Sequence, residues 1–271
     1  MPATALAFAL TAAVVHAVWN LLLARAPDVE TATVVALLTS ELVFLPIVVF
    51  KWHVEPAVWP WLLGSGVLEL AYFALLAAAY RRAPLSVVYP IARGGAPVLV
   101  LVVSVVVLGH ATSARQAAGV GLVVLGILLV RGLAHPDPVG LAFGVAIACC
   151  IAGYTLIDKQ GIRYATPLPY LELSMILPTV AYAGIVTRLR SAAAVRAAFG
   201  PAPVVAGIAT FVAYGCVLAA LSRASAASVA AVRETSVVIA AALAAVVLKE
   251  RVTRGRLIGA FAVVAGIALL G

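Results

Sequence analysis

The stretch Gly119-Val120-Gly121-Leu122-Val123-Val124-Leu125-Gly126-Ile127-Leu128-Leu129 returns near the end of the chain as Gly259-Ala260-Phe261-Ala262-Val263-Val264-Ala265-Gly266-Ile267-Ala268-Leu269. Both copies carry two glycines at the same spacing, a Val-Val pair between them and a closing leucine. The same shift of 140 (259 minus 119) lays Val106-Val107-Leu108 on Val246-Val247-Leu248, Ser113 on Thr253 and Arg93 on Arg233. Farther upstream the offset becomes 142 (214 minus 72). It then pairs Ala71-Tyr72 with Ala213-Tyr214, Arg81 with Arg223 and Ser86-Val87 with Ser228-Val229. Apolar sequences match easily by chance, but paired glycines and arginines do not. The chain reads as a duplication, with one repeat over residues 1–133 and the other over 138–271.

Each repeat is made of apolar runs. A helix needs about 20 mostly apolar residues to cross the hydrocarbon core of a bilayer. The first repeat offers five such runs: Ala3 to Leu23, Thr31 to Phe50, Val58 to Ala79, Leu85 to Leu108 and Ala114 to Leu133. The second offers Val139 to Ile157, Leu168 to Thr187, Val204 to Leu221, Ala227 to Leu248 and Thr253 to Leu270. Turn-forming groups separate them, such as Ala26-Pro27-Asp28, His135-Pro136-Asp137-Pro138 and Gly200-Pro201-Ala202-Pro203. The loops are too short to hold a soluble domain. The first run has no basic stretch before it and is long enough to span, so it reads as a span and not as a leader.

Composition agrees. Hydrophobic residues make up 65% of the 271 and charged residues 10%, with a mean hydropathy of +1.17. A soluble domain carries roughly 25% charged residues, so most of this surface cannot face water. The 18 Lys and Arg against 10 Asp and Glu sit singly or in short clusters between apolar runs. That is the pattern of charges that anchor helix ends, not of a nucleic-acid surface. Cys149, Cys150 and Cys216 lie inside apolar runs without metal-ligand spacing and read as small packing residues.

Five spans per repeat is an odd number, so the second repeat enters the membrane from the opposite side. The expected fold is therefore an all-α membrane protein of ten transmembrane helices in two inverted five-helix repeats. Many secondary transporters use this design to place a binding site at the midplane between the halves. Assigning loops to alternate sides puts Lys51, Arg115, Lys159, Arg163 and Arg223 on the side of the termini. Eleven bases fall on the other: Arg25, Arg81, Arg82, Arg131, Arg188, Arg190, Arg196, Lys249, Arg251, Arg254 and Arg256. The positive-inside rule then places both termini outside.

Several segments resemble known transporters. Ala71-Tyr72-Phe73-Ala74-Leu75-Leu76-Ala77-Ala78-Ala79, then Ala83-Pro84-Leu85-Ser86-Val87-Val88-Tyr89-Pro90-Ile91 and Gly94-Gly95, resemble the second and third helices of small multidrug resistance transporters. Leu108-Gly109-His110 and Gly119 through Gly126 are similar to their last helix. Over its whole length the chain resembles the larger EamA branch of the drug/metabolite transporter superfamily. His16-Ala17-Val18-Trp19-Asn20 is similar to that branch's first-helix motif. Leu248-Lys249-Glu250-Arg251-Val252-Thr253, followed by Gly259 and Gly266, is similar to its end-of-repeat signature. The first repeat departs from that signature, with His110 where an acidic residue is usual. The resemblance implies a multi-pass transporter of the cell (inner) membrane, a drug/metabolite transporter fold and export of a small organic solute. It also implies termini inside, against the charge count.

Six charges lie within the spans: Glu41, Glu69, Arg93, Glu172, Arg233 and Glu234. Each costs a few kcal/mol or more at the bilayer centre, so each must face a partner, a cavity or the interface. Arg93 and Arg233 are equivalent in the two repeats, on helices that line the cavity in the transporters this chain resembles. Two readings stand for them: contact with substrate, or a structural ion pair with Glu41, Glu172 or Glu234. Tyr89, four residues before Arg93, shares its helical face. Glu41 and Glu172 sit alike in the second and seventh runs, each followed by a proline, Pro46 and Pro178. They are read as balancing the arginines or as carrying a coupling proton, since desolvation favours a carboxyl's neutral form. Glu69 is one turn from Tyr72, but its counterpart in the other repeat is Phe211, so symmetry gives it no support. His16, Trp19 and Asn20 form a polar and aromatic group, read as cavity wall, interfacial anchor or interhelical hydrogen bond. Tyr72 and Tyr214 are a symmetric pair. The paired glycines are read as helix packing.

The expected function is export of a small organic solute, an amino acid or related metabolite, by alternating access. Two arginines suit a carboxylate, and Glu234 an ammonium. The alternatives are efflux of a lipophilic cation, held by Glu41 or Glu172 with aromatic faces, and flipping of a lipid-linked metabolite. The expected partners are the solute, the bilayer and protons as coupling ion, with no nucleic acid and a monomer or loose dimer. No cofactor or metal is expected. An intramembrane enzyme is disfavoured, for the chain carries no His-Glu-x-x-His and no Gly-x-Ser-x-Gly motif.

Overall fold

The computed structural model describes residues 1–24, 26–83, 85–131, 137–239, 242 and 254–270. The helices are α1 (Ala3–Ala24), α2 (Val29–Phe50), α3 (Trp59–Arg82), α4 (Leu85–Val102), α5 (Ala114–Arg131) and α6 (Pro138–Gly161). They continue with α7 (Pro167–Arg190), a short α8 (Ala192–Ala197), α9 (Pro201–Leu221), α10 (Ala226–Arg233) and α11 (Arg254–Leu270). No strand occurs among the described residues; one isolated bridge joins Val54 to Ala165. A bilayer offers no partner to a free N–H or C=O, so helices that satisfy their own backbone are what such apolar runs must form. Six of them, including α2, α6, α7 and α9, are long and apolar enough to cross a membrane, and Ala3–Trp19, Ala114–Val130 and Leu257–Leu270 are shorter apolar helices. The expected ninth span, 227–248, lies partly outside the described residues, which cover 227–239 and 242 of it. Its described part is interrupted: α10 stops at Arg233, Glu234 and Thr235 form a turn, and helix resumes at 236–239.

The helix ends follow local chemistry. Asp28 caps α2 by accepting from the Glu30 N–H (3.1 Å), and Asp137 caps α6 through the Gly140 N–H (2.7 Å). Prolines 138, 167 and 201 occupy first-turn positions where no N–H is needed. Side chains such as Phe50 and Phe261 stand fully outward, as they do on a body solvated by lipid. Within the helices Ser65, Glu69, Arg93, Asp158 and Arg233 are buried.

Helix packing repeats itself. α1 packs on α9 as α6 packs on α3, α2 packs on α9 as α7 packs on α3, and α10 packs on α1 as α4 packs on α6. α2 meets α7, and α5 meets α11, across the pseudo-symmetry. The duplicated glycines explain the last contact. A Cβ on Gly126 would stand 2.5 Å from Gly259 O, and one on Gly259 2.6 Å from Gly126 O. Gly119 and Gly266 approach each other in the same reciprocal way, at 3.0 and 2.7 Å. The two backbones touch, and only glycine permits it.

Candidate functional site

Between the halves lies a cavity with about 850 Å³ of empty space, counting its open mouth. α1 contributes Ala12, His16 and Trp19, α3 contributes Glu69, Tyr72 and Phe73, and α4 contributes Arg93. From the second repeat come Tyr154, Leu171, Met175, Thr210, Phe211, Tyr214 and Arg233. The sequence candidates His16, Trp19, Tyr72, Tyr214, Arg93, Arg233 and Glu69 thus share one wall system. The side chain of Asn20 lies outside the described residues.

The charged centre of this cavity is set by the interruption in α10. Ending the helix at Arg233 turns Glu234 into the core, fully buried, between the two arginines. Arg93 Nη1 donates to Glu234 Oε1 and Oε2 at 3.2 and 3.4 Å, while Arg233 Nη2 lies 3.5 Å from Oε1. Arg93 Nη2 also donates to His16 Nε2 at 2.8 Å. The Tyr89 ring sits 5.5 Å from the Arg93 guanidinium and the Tyr154 ring 6.0 Å from that of Arg233. Tyr89 supports the arginine without lining the cavity.

Two guanidinium groups share the Glu234 carboxylate unequally. Arg93 takes both Glu234 oxygens and the histidine; Arg233 lies against one oxygen only. Its Nε and Nη2 have no hydrogen-bond acceptor among the described residues, and neither does Trp19 Nε1. Buried donors left open in this way cost stability unless something supplies an acceptor. An anionic group entering the cavity would do so.

The remaining carboxyls are placed differently. Glu41 accepts from Thr179 Oγ1 at 3.3 Å, and Glu172 Oε2 is buried with no donor among the described residues. Neither is within ion-pair distance of a described arginine, so Glu234 holds the balancing position next to the guanidinium groups. Glu69 stands on the cavity wall, and its symmetry counterpart Phe211 lies on the same wall, stacked on Phe44 at 4.0 Å.

The structure adds a residue that sequence reading passed over. Asp158, 1% exposed, accepts from Ser65 Oγ (2.6 Å), Tyr170 OH (3.0 Å) and Tyr214 OH (2.5 Å). Tyr170 fits because Gly161, one turn beyond Asp158, leaves room for its ring. The symmetric tyrosine at 214, sharing the face of a buried cavity, was the available signal.

Among the described residues no group of His, Cys, Asp and Glu is arranged to hold a metal ion. The model of the EamA-like transporter family matches residues 3–132 and again 138–271. No match is found among the curated proteins. Among solved structures the chain is similar to one described only as "Crystal structure of protein", with a TM-score of 0.79 and 16% identity over 99% of this chain and 96% of that one. A likeness at that identity is one of fold.

Proposed function

Since the chain belongs to the EamA-like transporter family, a family of transporters and not of enzymes, we propose that this multi-pass membrane protein is a secondary exporter of a small organic anion or zwitterion, with amino acids the leading class. The observation that carries this reading is the guanidinium of Arg233, buried in the wall of the cavity with two nitrogens that lack an acceptor among the described residues, as does the Trp19 indole lining the same cavity. A carboxylate matches the planar fork of an arginine and pairs with it in bidentate fashion. Glu69 and Glu234 offer the negative charge that an ammonium group needs. The two five-helix repeats, 1–133 and 138–271, rock against each other about this site and expose it to each side in turn.

One observation favours a second reading. Glu69 is buried among Tyr72, Phe73 and Tyr154, a setting that suits a lipophilic cation. Purified protein in liposomes separates the two. The expected result is counterflow of a labelled amino-acid mixture that tetraphenylphosphonium does not inhibit. Efflux of tetraphenylphosphonium without amino-acid counterflow would replace the proposal by the cation reading.

A further inference from the structure

We propose that Asp158, in its cage of Ser65, Tyr170 and Tyr214, is a proton-binding site whose loading and unloading drives transport through the adjoining cavity. The inference rests on the transporter reading above and adds the site of its coupling ion. Four helices, α3, α6, α7 and α9, meet at this one carboxyl, three of them from the second repeat and α3 from the first.

Its surroundings argue against a merely structural ion pair. No lysine, arginine or histidine among the described residues lies within ion-pair distance of it. The adjacent Lys159 turns away and donates to the carbonyls of Leu221 and Ala224 at the end of α9. Besides the tyrosines of its cage, the charged groups that act on Asp158 from the elements packed around it are Glu69 of α3 and Arg233 of α10. Among the described residues, three hydroxyls are the hydrogen-bond partners of the carboxyl.

A hydroxyl donates and accepts, and this is what a reversible proton site needs. With Asp158 ionised, all three hydroxyls donate to it. With a proton on one oxygen, the Ser65 hydroxyl rotates and accepts, while the two tyrosines go on donating. A lysine or arginine partner would favour the ionised form alone. No covalent bond other than O–H changes: one proton arrives from one aqueous side and leaves to the other. The site also communicates with the substrate. The Tyr214 hydroxyl is bonded to Asp158 while its ring lines the cavity, and Glu69 lies one turn beyond Ser65 on the same wall. The Ser65 bond crosses between the repeats, so rocking them breaks or remakes one leg of the cage.

The test uses Asp158→Asn in two assays. In liposomes, the variant should keep counterflow of a labelled amino-acid mixture, whereas accumulation driven by an imposed pH gradient should fall to the level without a gradient. In detergent, with no substrate present, the infrared difference between acidic and alkaline protein should lose one neutral-carboxyl band that Glu69→Gln leaves in place. Full gradient-driven accumulation by Asp158→Asn, or an unchanged spectrum, overturns the assignment. If wild-type protein shows no amino-acid counterflow, the substrate reading fails while the infrared assay still decides the proton site. Should Asp158→Asn not fold, Tyr170→Phe and Ser65→Ala keep the acid and remove one donor each. The pH at which the band disappears should then move, and a band that does not move overturns the assignment.

Discussion

At the scale of single residues the two symmetric arginines have unequal work. Arg93 is bound twice by Glu234 and once by His16, whereas Arg233 shares only one Glu234 oxygen and leaves donors open. Removing one member of a buried pair strands the other, at a cost of about 3–5 kcal/mol. Arg93→Ala and Glu234→Gln should therefore both melt well below wild type in detergent; wild-type melting for both would show that the pair contributes nothing. Which glutamate serves Arg93 could not be read from sequence, because Glu41, Glu172 and Glu234 are all carboxyls in spans. The partner chosen lies 141 positions away and is selected by the turn that ends α10. Asp158 was missed for a different reason. With Lys159 beside it the dipeptide looks like the wet end of a helix, yet α6 runs on to Gly161. The lysine, not the aspartate, reaches the helix-end carbonyls. Serine and tyrosine in apolar helices give no warning that they converge.

Elements were more legible. The repeat of glycines at one spacing fixes where α5 and α11 touch, because a backbone-to-backbone approach tolerates no side chain and so marks the sequence directly. With Gly259 O only 2.5 Å from a new Cβ, even Gly126→Ala overpacks the contact. A loss of about 1–3 kcal/mol is expected, and Gly126→Leu should cut folded yield severely. Unchanged yield and melting for both would mean that the two helices separate without consequence. The interruption of α10 was not legible. Residues 226–239 hold the polar group Arg233-Glu234-Thr235-Ser236 between apolar stretches, but no proline or glycine among them demands a turn at Glu234 and Thr235. The turn follows from burying Glu234 against Arg93, 141 positions away, as well as against its neighbour Arg233, a tertiary effect.

For the whole molecule, the two sides are tied by unlike contacts. On the side of the termini, the loop after α2 is tied to the loop after α6: Glu55 N–H bonds to Tyr164 O (2.8 Å) and Thr166 N–H to His53 O (3.1 Å), around the Val54 and Ala165 bridge. On the opposite side Arg190 meets Glu30 at 3.0 Å and Asp28 at 3.9 Å, exposed to solvent and worth little. Alternating access requires the first tie to open in each cycle. A disulfide between Val54→Cys and Ala165→Cys, in a background lacking Cys149, Cys150 and Cys216, should stop transport until it is reduced. Continued turnover with the cross-link complete would contradict rocking at that face. The duplication, legible from its glycines and arginines, and the family match agree on the architecture in which such motion makes sense. The claim on which the account turns is that the Arg233 guanidinium in the cavity binds the solute's anionic group. Its most direct measurement is amino-acid counterflow by Arg233→Lys in liposomes, normalised to folded protein. The lysine keeps the charge but not the fork. The account predicts loss of most counterflow at wild-type yield; near-wild-type counterflow by this variant would contradict it.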